Sequence, residues 1–425
     1  MKKAIAIIGA VMLFAAAAKA QNPISPMGVY IPDPSARVFN GRMYVYGSLD
    51  VKEDDYCSDR YHVLSSDDLR HWTLTENAFK WKKTLYAPDM WCKDGKYYLY
   101  FDCPGGDEWV AEGKSPEGPF RKAVQIEGPD EIDPNIFVDD DGQAYYFWGQ
   151  FSGKGARMNP DFKTLDRSTM VDGLVTEKDH YFHEGSFVFK RGKYYYYTYA
   201  SIRRQHQATC LSYAMSESPL GPYVYKGEII DNAGCDPAVW NNHGCVVEFN
   251  GRWYVLYHRS THGTRFMRKA CIEPLEFRED GTIIEAEMTT QGAAGPLDAY
   301  QPLDAARACL LHGDLQIRLD SPSREVLCMK KDGWAAYKYL DFSDKAPSSV
   351  TIRVRPRKAG WIGVGFDQVY RGSSVEFDVT EGNGTDWVEL TAKMDSDLTG
   401  VHAVFLHMSS DLQDSFDIDW IRFNR

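Results

Sequence analysis

The chain has 425 residues, of which 44% are hydrophobic and 14% aromatic, and its formal net charge is −12. This length and apolar content allow two domains with sizeable cores and exclude an intrinsically disordered chain. The acidic balance argues against nucleic acid as a partner.

The first twenty residues have the pattern of a secretory signal. Lysines at positions 2 and 3 precede an apolar run from Ala4 to Ala18, and small residues at positions 18 and 20 permit cleavage after Ala20. The alternative is a membrane anchor, but the run is shorter than the roughly twenty residues that a membrane span needs. We expect a signal peptide over residues 1–20, a secreted or periplasmic protein, and no membrane span after cleavage. In such a compartment the odd number of cysteines, nine, leaves at least one thiol free.

A hairpin motif recurs five times after this segment. Each copy has a turn glycine followed by alternating aromatic residues, which favours a β-hairpin. The glycines are Gly41, Gly95, Gly142, Gly192 and Gly251. A second landmark, Ser-Pro-x-Gly-Pro-aromatic, occurs at residues 115–120 and again at 218–223. A period near fifty residues with several strands per unit is typical of a β-propeller, so we predict five blades over residues 21–296.

A polar residue stands six to nine positions before each turn glycine, where the innermost strand of a blade should begin. These residues are Asp33, Asp89, Asp133, Glu184 and His243. Because the inner strands run along one central channel, the five side chains should converge at one mouth of it. Two carboxyl groups facing each other across a pocket are what glycoside hydrolysis requires, one as general acid and one to activate water or attack directly.

The rest of the chain predicts a second all-β domain. Residues 297–310 are predicted to be a linker, and residues 311–425 contain eight short alternating segments with no convincing helix. This pattern favours a β-sandwich of the jelly-roll kind. The predicted fold class is therefore all-β, a five-bladed β-propeller followed by a β-sandwich.

Several motifs in the first domain resemble glycoside hydrolase family 43 over roughly residues 26–295. They are Ile31-Pro32-Asp33-Pro34-Ser35-Ala36-Arg37, Tyr86-Ala87-Pro88-Asp89-Met90, Ile132-Asp133-Pro134 and His183-Glu184-Gly185-Ser186-Phe187. The resemblance implies an inverting glycosidase with Asp33 as general base and Glu184 as general acid. It implies that Asp133 raises the pKa of the acid and orients it. The acid motif departs from the commonest family form at Ser186, where proline is usual.

The same resemblance suggests further residues around the site. Asp89 matches a position near the pocket and is predicted to bind substrate without a proton-transfer role. His243 matches an axial histidine, which predicts a structural calcium ion touched through water, since calcium prefers oxygen ligands; the alternative is a hydrogen-bonded core histidine. Arg265 and Arg268 are candidate sugar ligands, the alternative being a solvated strand face. We expect no other cofactor.

The second domain is similar to carbohydrate-binding module family 6, on motifs such as Thr385-Asp386-Trp387 and Ile418-Asp419-Trp420-Ile421-Arg422-Phe423. Aromatic side chains stack on sugar rings, and the candidates are Trp334, Trp361, Tyr370 and Trp387. The alternative for each is core packing. The domain departs from the family in lacking an acidic pair before Leu310 and in having Leu390 where a second aromatic residue is common.

The sequence therefore favours a secreted, monomeric glycosidase that acts on arabinose- or xylose-containing plant cell-wall polysaccharides. An α-L-arabinofuranosidase is the first hypothesis and a β-xylosidase its close alternative. A non-catalytic glycan-binding propeller is the alternative from another class. The presence of all three carboxyl residues argues against it, because a protein without catalysis would tolerate their loss.

Overall fold

The computed structural model describes residues 21–204, 207–330, 332–369, 375–395, 397–409 and 416–425. The predicted signal peptide and Tyr370 lie outside these described residues. Helical structure within them is limited to α1 (Glu177–His180) and two short 3-10 turns, Gly292–Ala294 and Ala305–Arg307. None of the helices in these ranges combines the length and apolarity that crossing a bilayer requires.

Five four-stranded antiparallel sheets make up the first domain, and each is a simple meander. Blade 1 has β1 (Ser35–Phe39), β2 (Arg42–Tyr46), β3 (Ser58–Ser66) and β4 (Thr73–Leu85). Blade 2 has β5 (Asp89–Lys93), β6 (Lys96–Cys103), β7 (Asp107–Gly113) and β8 (Arg121–Gln125). Blade 3 has β9 (Asn135–Val138), β10 (Ala144–Trp148), β11 (Ser152–Met158) and β12 (Leu165–Thr176). Blade 4 has β13 (Phe182–Arg191), β14 (Tyr194–Ser201), β15 (Cys210–Ser216) and β16 (Val224–Asp231). Blade 5 has β17 (Cys245–Phe249), β18 (Arg252–Arg259), β19 (Lys269–Phe277) and β20 (Ile283–Ile284).

The five sheets form a closed propeller. Their first strands touch one another in a ring that runs from β1 through β5, β9, β13 and β17 and back to β1. The predicted turns also form: Asn40 and Gly41 have φ of 51° and 76°, and Asn250 and Gly251 have φ of 52° and 75°. Two positive φ values in succession define the type I′ turn, which matches the twist of a tight hairpin. The prediction of five blades is confirmed.

Neighbouring blades pack through aromatic side chains of their second strands. Tyr46 of blade 1 and Phe101 of blade 2 share one buried cluster, and the rings of Phe147 in blade 3 and Tyr197 in blade 4 meet edge to face at 5.5 Å. All four side chains are fully buried, and burying a side chain of this kind stabilises the fold by roughly 1.5–3 kcal/mol. The alternating aromatic residues of the repeat are therefore the contacts between the blades.

The nine cysteines form no disulfide bond. Eight of them are buried, and Cys92 is half-buried. The prediction of at least one free thiol is thus confirmed, and the buried cysteines act as small apolar core residues.

The second domain is a sandwich of two sheets around one apolar core. One sheet has the order β21-β26-β31-β28-β29, with β23 beside β26, and the other has β24-β25-β32-β27-β30, with β22 beside β32. The strands are β21 (Leu297–Asp298), β22 (Leu303–Asp304), β23 (Leu310–His312), β24 (Gln316–Ser321), β25 (Arg324–Met329), β26 (Trp334–Asp341), β27 (Ser349–Pro356), β28 (Gly360–Phe366), β29 (Val375–Val379), β30 (Val388–Lys393), β31 (Val401–Ser409) and β32 (Phe416–Asn424). The predicted β-sandwich is confirmed.

Residues 297–310 are not a free linker, contrary to the sequence prediction. They contain β21 and β22, which pair with β26 and β32. Leu297, Leu303 and Ala305 belong to the buried core of the sandwich. The physical reason is the composition of this segment: alternating leucine and alanine can be buried at low cost, whereas a flexible linker is rich in glycine, serine or charge.

The two domains share a buried interface. Lys269 of blade 5 binds both carboxylate oxygens of Glu325 on β25 at 2.5 and 2.6 Å, and the two side chains are 3% and 5% exposed. Backbone groups also cross the boundary: the N–H of Leu311 donates to the carbonyl of Gly234 at 2.9 Å. Leu310 packs against the apolar cluster of blades 4 and 5. The sandwich is therefore docked on the propeller.

We expect a chain ended at residue 296 to unfold at a much lower temperature than the full chain. Removing the sandwich removes Glu325, the counter-ion of Lys269, and exposes the apolar surface of the propeller that Leu310 covers. A loss of about 3–5 kcal/mol would lower the unfolding midpoint by roughly 10 °C or more. Thermal unfolding followed by circular dichroism measures the difference. Equal midpoints for the shortened and full chains would show that the propeller does not depend on the sandwich.

Candidate active site

A cavity of about 300 Å³ opens where the inner strands of the propeller begin. Asp33, Asp133, Glu184 and His243 all line it, each at or just before the start of its inner strand. Their convergence is what the repeat predicted. Asp89, the fifth residue of the set, does not line the cavity.

Asp33 is a buried carboxylate that is held on both oxygens. Arg268 Nη1 donates to Oδ1 at 2.9 Å, and Ser48 Oγ donates to Oδ2 at 2.7 Å. His258 Nε2 donates to the carbonyl of Asn241 at 3.1 Å, so Nδ1 of the neutral ring accepts the backbone N–H of Asp33 at 3.3 Å. Side chain and backbone of Asp33 are thus both fixed.

The charge state of Asp33 follows from these neighbours. Burial alone would raise the pKa of Asp33. The Arg268 guanidinium, which binds Oδ1, outweighs burial and holds this pKa well below its usual range. Asp33 is therefore ionised at neutral pH.

Asp33 and Asp133 have the same unusual backbone conformation. Their φ values are 54° and 64°, in the left-handed region, which residues other than glycine rarely adopt. Such a conformation costs roughly 1–3 kcal/mol per residue and persists only where the surrounding structure enforces it. Both residues precede a proline and stand two positions before an inner strand. The two Asp-Pro motifs are thus structurally equivalent.

Asp133 differs from Asp33 in its charge state. The N–H of Gly185 donates to Asp133 Oδ2 at 2.8 Å. Burial raises the pKa of Asp133 well above its usual range, and the charges of Glu184, Asp102 and Asp33 raise it further. Asp133 therefore keeps its proton to a higher pH than Asp33 does.

Glu184 is the carboxyl group that faces the cavity most openly. It lies on β13, where the pairing with β14 shifts register on both sides of it, and such an irregularity re-aims a side chain. Gln150 Nε2 donates to its Oε2 at 3.1 Å, and Asn241 Nδ2 donates to its Oε1 at 3.2 Å. The side chain is 15% exposed, compared with 8% for Asp33.

A glycine follows Glu184 because position 185 has a positive φ and no room for a side chain. Its φ is 77°, and an added Cβ would lie 3.1 Å from Cδ2 of His243. The next residue, Ser186, is buried and shares a hydrogen bond of 2.8 Å with the hydroxyl of Tyr197. The departure from the common family motif at Ser186 therefore lies in the wall between blades and not in the cavity.

The predicted substrate-binding role of Asp89 is wrong. Asp89 is only 1% exposed, and its oxygens accept hydrogen bonds from the side chains of Ser35, Arg37 and Asn135 and from the N–H of Ile136. With its oxygens occupied in this way, it ties blades 1, 2 and 3 together below the cavity. Asp89 has a structural role.

The two candidate arginines both line the cavity, but they differ in their surroundings. Arg268 is buried and bound to Asp33 and Asp50, so it orients the carboxylate of Asp33. Arg265 is exposed, and its guanidinium lies 5.4 Å from the ring centre of Tyr56 and 5.0 Å from that of Phe266. Of the two, Arg265 is the one positioned to meet a ligand.

His243 does not have the surroundings of a direct calcium ligand. No three His, Cys, Asp or Glu side chains among the described residues are arranged to hold a metal ion. The Nδ1 of His243 lies 3.8 Å from Asp33 Oδ1, an oxygen that Arg268 already binds. Calcium needs six to eight oxygen ligands, so these side chains do not fit a calcium ion bound directly by His243, and a calcium ion touched through water stays a prediction.

Several residues in and around the cavity were missed by the sequence reasoning. Gln150 and Asn241 bind Glu184, and Trp240 is 40% exposed at the rim, while His258 does not line the cavity and binds the backbone of Asp33. Trp240 and Asn241 stand three and two residues before His243 in the fifth repeat, and this nearness could have identified them. Gln150 lies two residues after the second strand of blade 3, and His258 lies at the end of the second strand of blade 5. The sequence has no distinguishing pattern at either position.

The three tryptophans of the sandwich that are predicted to stack on sugars are partly buried. Trp334 stacks on His312 at 5.2 Å, and Trp361 meets His407 edge to face at 5.5 Å. The ring of Trp387 lies 4.7 Å from the guanidinium of Arg355. Each tryptophan thus already contacts neighbours of its own domain.

Comparisons with known proteins agree with this architecture. Residues 20–283 match the family model described as Glycosyl hydrolases family 43, and residues 313–425 match Carbohydrate binding module (family 6). The xylosidase/arabinosidase of Thermoclostridium stercorarium is 29% identical, over 90% of this chain and 95% of its own. Both resemblances seen in the sequence are confirmed.

Two solved structures are similar to the chain as well. A family 43 β-xylosidase/α-arabinofuranosidase from a compost microbial metagenome, in complex with xylotriose and in a calcium-free form, is 28% identical with a TM-score of 0.54. It covers 64% of this chain and 98% of its own. An arabinoxylan arabinofuranohydrolase from Bacillus subtilis, in complex with cellotetraose, covers 93% of this chain and 96% of its own, with a TM-score of 0.54. Its identity is 24%, so this likeness concerns the fold alone.

Proposed function

The chain belongs to glycosyl hydrolases family 43, and we propose that it hydrolyses α-L-arabinofuranosyl bonds of arabinoxylan with inversion of configuration. One observation carries the proposal: a single cavity is lined by Asp33, a carboxylate that Arg268 keeps ionised, and by two more carboxyl groups, Asp133 and Glu184, of which Asp133 has a raised pKa. Hydrolysis of a glycosidic bond requires an ionised carboxylate and a protonated carboxyl group in one site.

In the proposed mechanism Asp33 is the general base. Its ionised carboxylate accepts a proton from a water molecule, which attacks the anomeric carbon directly. Arg268 and Ser48 hold the two oxygens, so the carboxylate is oriented before the substrate arrives. Such preorganisation lowers the cost of reaching the transition state.

Glu184 is the proposed general acid. Its side chain faces the cavity, and the amides of Gln150 and Asn241 fix its direction. Asp133 also lines the cavity, and its pKa is raised by burial and by the charge of Glu184, so the two carboxyl groups do not ionise independently. In the proposed step Glu184 donates a proton to the leaving oxygen as the glycosidic bond breaks.

A β-xylosyl bond is the second candidate substrate. The relative from Thermoclostridium stercorarium, which matches 90% of this chain, is named for both xylosidase and arabinosidase activity. The metagenomic enzyme is also described by both activities. The polymeric substrate is found outside the cell, which agrees with the proposed export of the chain. The match of residues 313–425 to a carbohydrate-binding module supports a polysaccharide as the ligand.

Proton NMR of fresh reaction mixtures tests the proposal. With an aryl α-L-arabinofuranoside we expect the first product to be β-L-arabinofuranose, because water attacks the face opposite the leaving group. An aryl β-D-xyloside should react more slowly and give the α-anomer. Release of a sugar with retained configuration would mean that Asp33 is a nucleophile and not a base. No turnover of either substrate would reject both candidate bonds.

A further inference from the structure

The interface between the two domains continues into the active site. Glu325, the sandwich carboxylate that binds Lys269, also accepts the hydroxyl of Tyr30 at 3.1 Å and the N–H of Gly28 at 3.2 Å. Tyr30 makes a second hydrogen bond, 3.2 Å long, to Nε2 of His262. One carboxylate thus joins two segments of the propeller that are far apart in sequence.

These two segments carry the proposed base and its cationic partner. Tyr30 lies three residues before Asp33, and its backbone pairs with Asp50. Lys269 directly follows Arg268, whose side chain and N–H bind Asp50 and whose Nη1 binds Asp33. A continuous series of contacts therefore links Glu325 to both sides of the Asp33–Arg268 ion pair.

The burial of this group argues for a specific role. Lys269 is 3% and Glu325 is 5% exposed, and Tyr30 is buried with them. A buried ion pair gives little net stability compared with apolar residues of the same volume. The ion pair does fix the geometry, because the hydrogen bonds of Glu325 to Lys269 and Tyr30 hold the two segments at a constant position relative to each other.

We propose that Glu325, on the sandwich domain, is a positioning residue for Asp33, which it holds in place through Tyr30 and the Lys269–Arg268 segment. The inference rests on the proposed function, since it concerns the base of that reaction. The second domain then takes part in catalysis without touching the substrate. Its docking on the propeller then contributes to the turnover rate.

The same interface offers matched controls. Lys338 Nζ binds Glu287 Oε1 at 2.7 Å across the domain boundary, and the hydroxyl of Tyr339 binds Glu287 Oε2 at 2.7 Å. This second carboxylate has the same kinds of partner as Glu325 but does not contact the segments around Asp33 and Arg268. Glu287→Gln and Tyr339→Phe therefore remove contacts of the same chemical kind at the boundary, where Glu287 is 49% exposed, without disturbing the base.

The first measurement is kinetic. We expect Glu325→Gln to lower kcat by about tenfold or more and Tyr30→Phe by about threefold, with KM within twofold of the original value. Tyr30→Phe removes one hydroxyl and leaves the ion pair of Lys269 and Glu325 intact. It therefore tests the proposal even if Glu325→Gln does not fold. Both control variants should keep the original kcat. Hydrolysis by the unmodified chain and its loss in Asp33→Asn test the proposed function separately.

The second measurement does not depend on activity. Cys57 lines the cavity, and its sulfur lies 3.7 Å from Arg268 Nη2. If Glu325 positions this segment, Glu325→Gln and Tyr30→Phe should speed alkylation of Cys57 by iodoacetamide several-fold, read by peptide mass spectrometry. Cys210, which is buried in blade 4, should keep its slow rate. Equal acceleration at both cysteines would indicate global loosening and overturn the proposal, and unchanged Cys57 reactivity with unchanged kcat would overturn it as well.

Discussion

Asp33→Asn is expected to lower kcat by roughly 10²–10⁴-fold, the contribution typical of a general base. The amide cannot accept the proton of the attacking water. The backbone should survive the change, because asparagine is among the few residues that adopt a positive φ readily, and Arg268 keeps its bonds to Asp50. The measurement is kcat on an aryl α-L-arabinofuranoside, with thermal unfolding as the check on folding.

Added azide provides a second test of the role of Asp33 as general base. An azide anion needs no deprotonation, so it should restore part of the activity of Asp33→Asn and give a glycosyl azide of inverted configuration. Asp55→Asn is the control, since Asp55 is 66% exposed on a loop of the same blade and should behave like the unmodified chain. A variant at position 33 that keeps most of its activity without azide would remove Asp33 from the role of base.

The propeller could be predicted from the sequence because its repeat is local. A turn glycine and the strand that follows it lie within a few residues of each other, and the same pattern recurs in each blade. Docking of the two domains is different, because it joins residues far apart in sequence. Lys269 and Glu325 are ordinary charged residues in the sequence, and only the folded chain buries them against each other. Residues 297–310 were misjudged for the same reason, since their leucines and alanines are buried by the sandwich.

The error at Asp89 has a simple geometric cause. Asp33 and Asp133 stand eight and nine residues before their turn glycines, whereas Asp89 stands six before Gly95. A shift of about two residues places a side chain on the same side of a strand, one step deeper in the channel. Asp89 is therefore level with Ser35 and Asn135, and it binds both. Its order within the motif, Pro-Asp instead of Asp-Pro, was the available signal.

The carboxyl roles could be predicted only in part. The spacing of the repeat predicted that Asp33, Asp133 and Glu184 lie at one mouth of the central channel. Their charge states, however, depend on neighbours from other blades. Arg268 reaches Asp33 from blade 5 and lowers its pKa, while the burial of Asp133 and the charge of Glu184 raise the pKa of Asp133. Such contacts join residues up to 235 positions apart, and no local pattern reports them.

Glu184→Gln should affect substrates according to their leaving groups. A glutamine cannot donate the proton that an alkoxide leaving group needs, so we expect hydrolysis of arabinoxylan oligosaccharides to fall by roughly 10²–10⁴-fold. An aryl glycoside with an acidic phenol leaves without much protonation, so its turnover should fall far less. Its rate should also no longer decrease at alkaline pH, because the acid has been removed. Steady-state kinetics on both substrate types across pH provide the measurement.

The comparison with a nearby glutamate separates proton transfer from positioning. Glu177 is 44% exposed and lies 3.8 Å from His183, the neighbour of Glu184, so Glu177→Gln should leave both substrate types unaffected. Glutamine at position 184 can still hydrogen-bond with Gln150 and Asn241, and the shape of the cavity is kept. An equal loss on activated and unactivated substrates would therefore mean that Glu184 orients the sugar and that another group supplies the proton. Asp133, the third carboxyl group that lines the cavity, would then be the proton donor to test, although its Oδ2 already accepts the N–H of Gly185.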